Sequence, residues 1–80
     1  MFRKPFNQKP RQYLAFIFHY TKVHRVAPSE LDMLYRFRVS LPSVHQMVLR
    51  LEANGWIERV PGQSRSIRVL VPPEDLPELE

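Results

Sequence analysis

Ser40-Leu41-Pro42-Ser43-Val44-His45-Gln46-Met47-Val48-Leu49-Arg50-Leu51-Glu52-Ala53-Asn54-Gly55 is the stretch from which the fold can be read. Val44, Met47, Val48 and Leu51 recur at i, i+3, i+4 and i+7, which places four apolar side chains on one helix face. Ser40 suits the N-cap, since its hydroxyl can accept from an unpaired N–H of the first turn. Pro42 is tolerated there because its missing N–H had no intrahelical partner. Gly55 stands where a left-handed residue would close the helix. The pattern predicts a helix over about residues 41–54.

Downstream the periodicity changes to two. Trp56-Ile57-Glu58-Arg59-Val60 and Ser66-Ile67-Arg68-Val69-Leu70-Val71 are rich in β-branched or aromatic residues, and Pro61-Gly62-Gln63-Ser64-Arg65 between them carries turn residues. They predict a β-hairpin with Trp56 anchored in the core. Pro72-Pro73 ends it, because proline cannot continue a ladder. Upstream, Ser29 with Asp32 three residues on resembles a capping box and opens a short helix to about Phe37, with Leu31, Leu34 and either Tyr35 or Phe37 expected inside. Val26-Ala27-Pro28 is a connector. Before it, Tyr13, Phe16, Ile17 and Tyr20 repeat at helical spacing, with Leu14 and Phe18 widening the face. That predicts a central helix over about 10–24, with Pro10 in its first turn. The order is helix, helix, helix, hairpin: a mostly α domain with a small β-hairpin, the three-helix winged helix-turn-helix. The expected organisation is a basic N-terminal arm over 1–9, the domain over 10–71, and an exposed acidic tail over 72–80.

Charge is unevenly spread. Residues 1–73 carry all twelve Lys/Arg against four acids (Glu30, Asp32, Glu52, Glu58), and the tail carries the other four acids and no base. A basic body attracts polyanions, although a merely soluble basic surface has the same composition. With 80 residues, one small core is expected and little room for a deep substrate cavity. The absence of cysteine excludes disulfides and thiolate metal sites and is consistent with the cytoplasm. Met1 to Pro5 do not read as a signal peptide, and no run is apolar enough to span a bilayer. His19, His24 and His45 share no helix face, and no phosphate-binding loop, HExxH or nucleophile elbow is present. No catalytic residue, metal or cofactor is therefore expected, and the chain reads as a non-enzyme.

Two short helices joined by a tight turn, the second one N-capped, can deliver that second helix to a DNA major groove about 12 Å wide. At about 100° per residue, Pro42, Gln46, Leu49 and Ala53 point away from the apolar seam, flanked by Ser43, His45 and Arg50. Gln46 can pair bidentately with adenine, and His45 can donate or accept. Ser43 and Arg50 suit phosphates or base edges, and Ser40 lies beside N–H groups that favour anions. On the hairpin, Gln63, Ser64, Arg65, Ser66 and Arg68 suit phosphate or minor-groove contact. As solvated charges, the two arginines would instead blunt a sheet edge. Leu49 can meet a thymine methyl, or pack on the hairpin or on a partner.

The run Leu51 to Leu70, with Gly62, Ser64-Arg65 and Ile67-Arg68 in the wing and Arg11-Gln12 at the start of the first helix, resembles the N-terminal DNA-binding domain of LexA-type repressors. Ser29 to Ile57 is also similar to winged-helix regulators of the MarR type. The first resemblance implies a double-stranded DNA-binding transcriptional regulator, with helix 41–54 in the major groove and wing 61–68 on the backbone or minor groove. It puts Pro42, Ser43, His45 and Gln46 where the family places base contacts, although asparagine and glutamates are usual there. Arg38 stands at a turn position where glycine is common. The self-cleaving serine–lysine peptidase domain of such repressors, which also dimerises them, is not among these residues. A homodimer is compatible with so small a module, since regulators often pair half-sites. The other reading is a winged-helix protein–protein interaction module, motivated by Leu49 and the acidic tail.

Overall fold

A computed structural model describes residues 8–80. Three helices, α1 (Gln8–His24), α2 (Glu30–Phe37) and α3 (Leu41–Ala53), precede two short strands, β1 (Ile57–Glu58) and β2 (Arg68–Val69), and a 3₁₀ turn at Pro73–Asp75. The winged helix-turn-helix order is as expected. Most of the expected arm lies outside the described residues, but Lys9 belongs to α1. Pro10 sits in the first described turn of α1, a place in a helix that tolerates proline.

The core forms where the apolar faces of the helices meet. Tyr13, Leu14 and Ile17 of α1, Met33 of α2, Val44, Val48 and Leu51 of α3, and Ile57 and Ile67 of the hairpin form one buried cluster. Tyr13 stacks on Phe37 at 4.1 Å between ring centroids, and Phe16 meets the same ring edge-on at 5.7 Å. Burial pushes the Tyr13 phenol pKa above its ordinary value, since the phenolate would lose its water.

The α2 expectation needs correction. Its core residue is Met33, with Leu34 and Phe37 partly buried, while Leu31 is 53% and Tyr35 74% exposed. Leu31 and Tyr35 are four apart and form their own stripe, turned away from the one that packs. The capping box is present: Ser29 Oγ accepts from Asp32 N and Ser29 N donates to Asp32 Oδ2. Arg38 closes α2 in the left-handed region (φ 56°), with its N–H on Leu34 O. That conformation is why glycine suits the position.

Helix α3 starts and stops as read. Ser40 Oγ accepts from Ser43 N at 3.2 Å. At the other end Trp56 N donates to Leu51 O and Gly55 N to Glu52 O, with Gly55 at φ 76°. This pair of bonds is the Schellman closure. The half-buried Trp56 then leads into β1.

The strands are much shorter than expected. Ile57 pairs with Val69 and Glu58 with Arg68, and Leu70 N adds a bond to Trp56 O. Beyond Glu58 a side chain takes over from the ladder. Ser66 Oγ accepts from Val60 N at 3.0 Å and donates to Gln63 O at 2.8 Å. Pro61 has no N–H to give, and Gly62 (φ 80°) turns the chain so that Gln63 N reaches Val60 O.

The acidic tail is not a free extension. Pro73, Leu76, Pro77 and Leu79 line one cavity with Ala15, Phe18 and His19 of α1. The buried Gln12 amide donates to Glu78 O (2.9 Å) and accepts from Glu80 N (3.0 Å). Apolar residues interleaved with the acids dock this segment, and they explain why the apolar face of α1 is so broad. Among the described residues no helix is long and apolar enough to cross a membrane.

Candidate nucleic-acid interface

Because Val44, Val48 and Leu51 are fully buried, the opposite side of α3 faces outward. Ser40, Pro42, Ser43, His45, Gln46 and Arg50 are all exposed, as are Gln63, Ser64, Arg65 and Arg68 of the hairpin. The helix residues thus share one surface, and the hairpin tip stands beside its start. Leu31, Leu41, His45, Gln63 and Ser64 line a cleft of about 420 Å³ between them.

The candidates differ in how free they are. The side chains of Gln46 and Arg50 have no hydrogen-bond or ionic partner among the described residues. Ser40 is occupied as the cap and donates to Ser43 Oγ at 3.0 Å. His45 Nδ1 lies 3.1 Å from Glu30 Oε2. Arg68 donates through Nε to Glu58 Oε2 at 2.7 Å, with Nη2 on the same oxygen. Arg65 reaches furthest, to Asp32, Tyr20 and the Ala27 carbonyl.

The acids of the domain have partners that composition alone does not give. Each of the four acids before the tail is paired: Glu30 with His45, Asp32 with Arg65, Glu52 with Arg59 and Glu58 with Arg68. The pairs of Glu52 with Arg59 and Glu58 with Arg68 join near neighbours, and cross-strand charge spacing could have found the second. The other two join α2 to α3 and to the wing, and no local pattern announces them. The Asp32 carboxyl is held below its ordinary value, first by the Ser29 backbone N–H and further by the Ser29 hydroxyl and the Arg65 charge. Burial opposes this shift without reversing it. The Arg65 guanidinium is held more firmly protonated, first by the Tyr20 hydroxyl and then by Asp32. No grouping of three or more potential metal ligands occurs among the described residues.

A capped helix with a free outer face, set beside a β-hairpin and seated on two further helices, defines a winged helix-turn-helix domain. No family model matches the chain. It is similar to LexA repressors: 34% identical over 71 residues to the LexA repressor of Thermosipho africanus, covering 89% of this chain and 36% of that one. The LexA repressor of Thermosipho melanesiensis is 33% identical over 67 residues (84% and 34%), and that of Zymomonas mobilis 30% over 74 (91% and 34%). The resemblance read from α3 and the hairpin therefore extends over most of the chain. The chain spans about a third of the length of the curated relatives it matches.

Proposed function

We propose that this domain binds double-stranded DNA as a transcriptional regulator of the LexA kind, without chemistry of its own. The observation that carries the reading is the outer face of α3, where Gln46 and Arg50 stand exposed with no partner among the described residues. Side chains bonded within the protein must break those bonds to contact a base, whereas these two need not. In this reading α3 lies in the major groove, with Gln46 against a base edge and Arg50 against a base or phosphate. The wing follows the backbone or the adjacent minor groove through Gln63, Ser64 and the exposed edges of its arginines. The similarity to three proteins named as repressors supports the same conclusion. Two copies on paired half-sites would supply the affinity that one small module lacks.

The test is binding of purified protein to random duplexes, with selection of the bound fraction and a salt titration. Enrichment of a defined motif is expected. With about four to six phosphates neutralised, log affinity should fall against log salt with a slope of about −4 to −5. No binding at low salt would overturn the proposal. The exposed stripe of Leu31 and Tyr35 on α2 favours the alternative, a protein-interaction module. A stable partner complex without duplex binding would support that alternative.

A further inference from the structure

We propose that Arg65 is a positioning residue: it ties the tip of the wing to the helix-turn-helix and so sets the width of the cleft beside α3. Its consequence for DNA rests on the function proposed above, but the tie itself does not.

The geometry is that of an anchor. Arg65 Nη1 lies 3.0 Å from Asp32 Oδ2, 3.1 Å from Ala27 O and 3.3 Å from Tyr20 Oη. These acceptors belong to the first turn of α2, the α1–α2 connector and the last part of α1. Its two hydrogens go to Ala27 O and Tyr20 Oη, and the Asp32 carboxylate holds the same nitrogen as an ion pair. Asp32 is itself immobilised, because the same Oδ2 accepts from Ser29 N at 2.9 Å. A single carboxylate oxygen therefore serves both the cap of α2 and the wing. The Arg65 backbone is left-handed (φ 57°), a conformation that an L-residue keeps only where its surroundings hold it.

The hairpin needs such an anchor. Its ladder is two residues per strand, and an isolated two-stranded hairpin is marginal in water. Arg68 cannot supply the tie, because its partner Glu58 lies on the neighbouring strand of the same hairpin. Arg65 lines the cleft near α3 together with Leu41 and His45. Moving it changes the gap through which a backbone would pass.

The experiment compares Arg65→Ala, Asp32→Asn and Tyr20→Phe in the full chain. Amide hydrogen exchange is measured on the free protein, and affinity for a mixed-sequence duplex of two helical turns (about 20 base pairs) across a salt series. Asn at 32 keeps an acceptor for the cap, and Tyr20→Phe leaves the cap untouched, so the set does not depend on one variant folding. We expect Arg65→Ala and Asp32→Asn each to speed exchange at the Gln63 and Leu70 amides by about tenfold, with α3 unchanged. Tyr20→Phe should do the same more weakly. Duplex affinity should fall several-fold in the first two with the salt slope retained, and the double variant should be no worse than either single one.

Unchanged exchange at both amides in Arg65→Ala would overturn the anchor. So would tighter duplex binding by Asp32→Asn together with a slope reduced by about 0.9 in Arg65→Ala, the signature of a phosphate contact released from a competing acid. If the wild-type chain does not bind the duplex at all, the DNA reading fails while the exchange data still decide the tie.

Discussion

Helix α3 and the wing stand side by side, and they use their polar residues in opposite ways. The helix divides its labour by face: Val44, Val48 and Leu51 hold it in place, and Gln46 and Arg50 are left over. The wing has no such division. Ser66 closes its loop, Arg65 ties its tip to three acceptors, and Arg68 bridges its strands to Glu58. A polar residue on the outside of a well-seated helix is available to a ligand. A polar residue on a hairpin with a two-residue ladder is as much a part of the hairpin's own structure.

The largest test of that contrast is stability. Leu51→Ala removes a fully buried side chain and should cost about 2–5 kcal/mol. A domain of this size has roughly 4–12 kcal/mol in all, at about 0.05–0.15 per residue. Thermal unfolding followed by circular dichroism should show Tm falling by at least about 8 °C. Arg68→Ala, whose side chain is 71% exposed, should move Tm far less, since exposed pairs contribute about 0–1 kcal/mol. Equal losses from the two variants would break the comparison.

Next in size is the loss of base discrimination. Gln46→Ala should lower the preference for a selected duplex over a scrambled one by about 1–3 kcal/mol, leaving affinity for the scrambled one nearly unchanged. Gln63→Ala on the wing should weaken both duplexes alike. Titration of both variants against the two duplexes reads the difference. A uniform loss in Gln46→Ala would remove base reading from α3.

A smaller effect is expected at Ser40, which also shows what the sequence made legible. Its capping role was readable, and the bond to Ser43 N is there. Ser40→Ala should cost about 1 kcal/mol by chemical denaturation, whatever the hydroxyl does toward DNA. All three helices and the capping box of α2 were legible for the same reason: period and caps are written within a few residues of one another. What was not legible depends on distant partners. Met33 displaced Leu31 because packing against α1 and α3, not apolarity, selects the inner stripe. The strands stopped short because a serine six residues from Val60 took its N–H. The tail docked because Gln12, 66 positions before Glu78, offers it an amide. At the candidate interface, residue types on α3 could be read from the sequence, but the freedom of Arg65 and Arg68 could not. Whether an arginine is free depends on where the acids end up.

The smallest effect separates the two regions at a single carboxylate. The Asp32 pKa lies below its ordinary 3.8, with the Ser29 backbone N–H as the largest cause and the Arg65 charge a lesser one. A carboxyl with a depressed folded-state pKa adds stability that is fully present above the unfolded value and is lost as pH falls through the folded one. Unfolding midpoints should therefore be insensitive to this group near pH 5 and fall below about pH 4. Asp32→Asn should remove that part of the acid dependence. Arg65→Ala should leave most of it, because the cap of α2, not the tie to the wing, is the stronger hold on the carboxylate. If Arg65→Ala flattened the acid limb as fully as Asp32→Asn does, the wing would be the dominant partner of Asp32, and the order of the two regions would reverse.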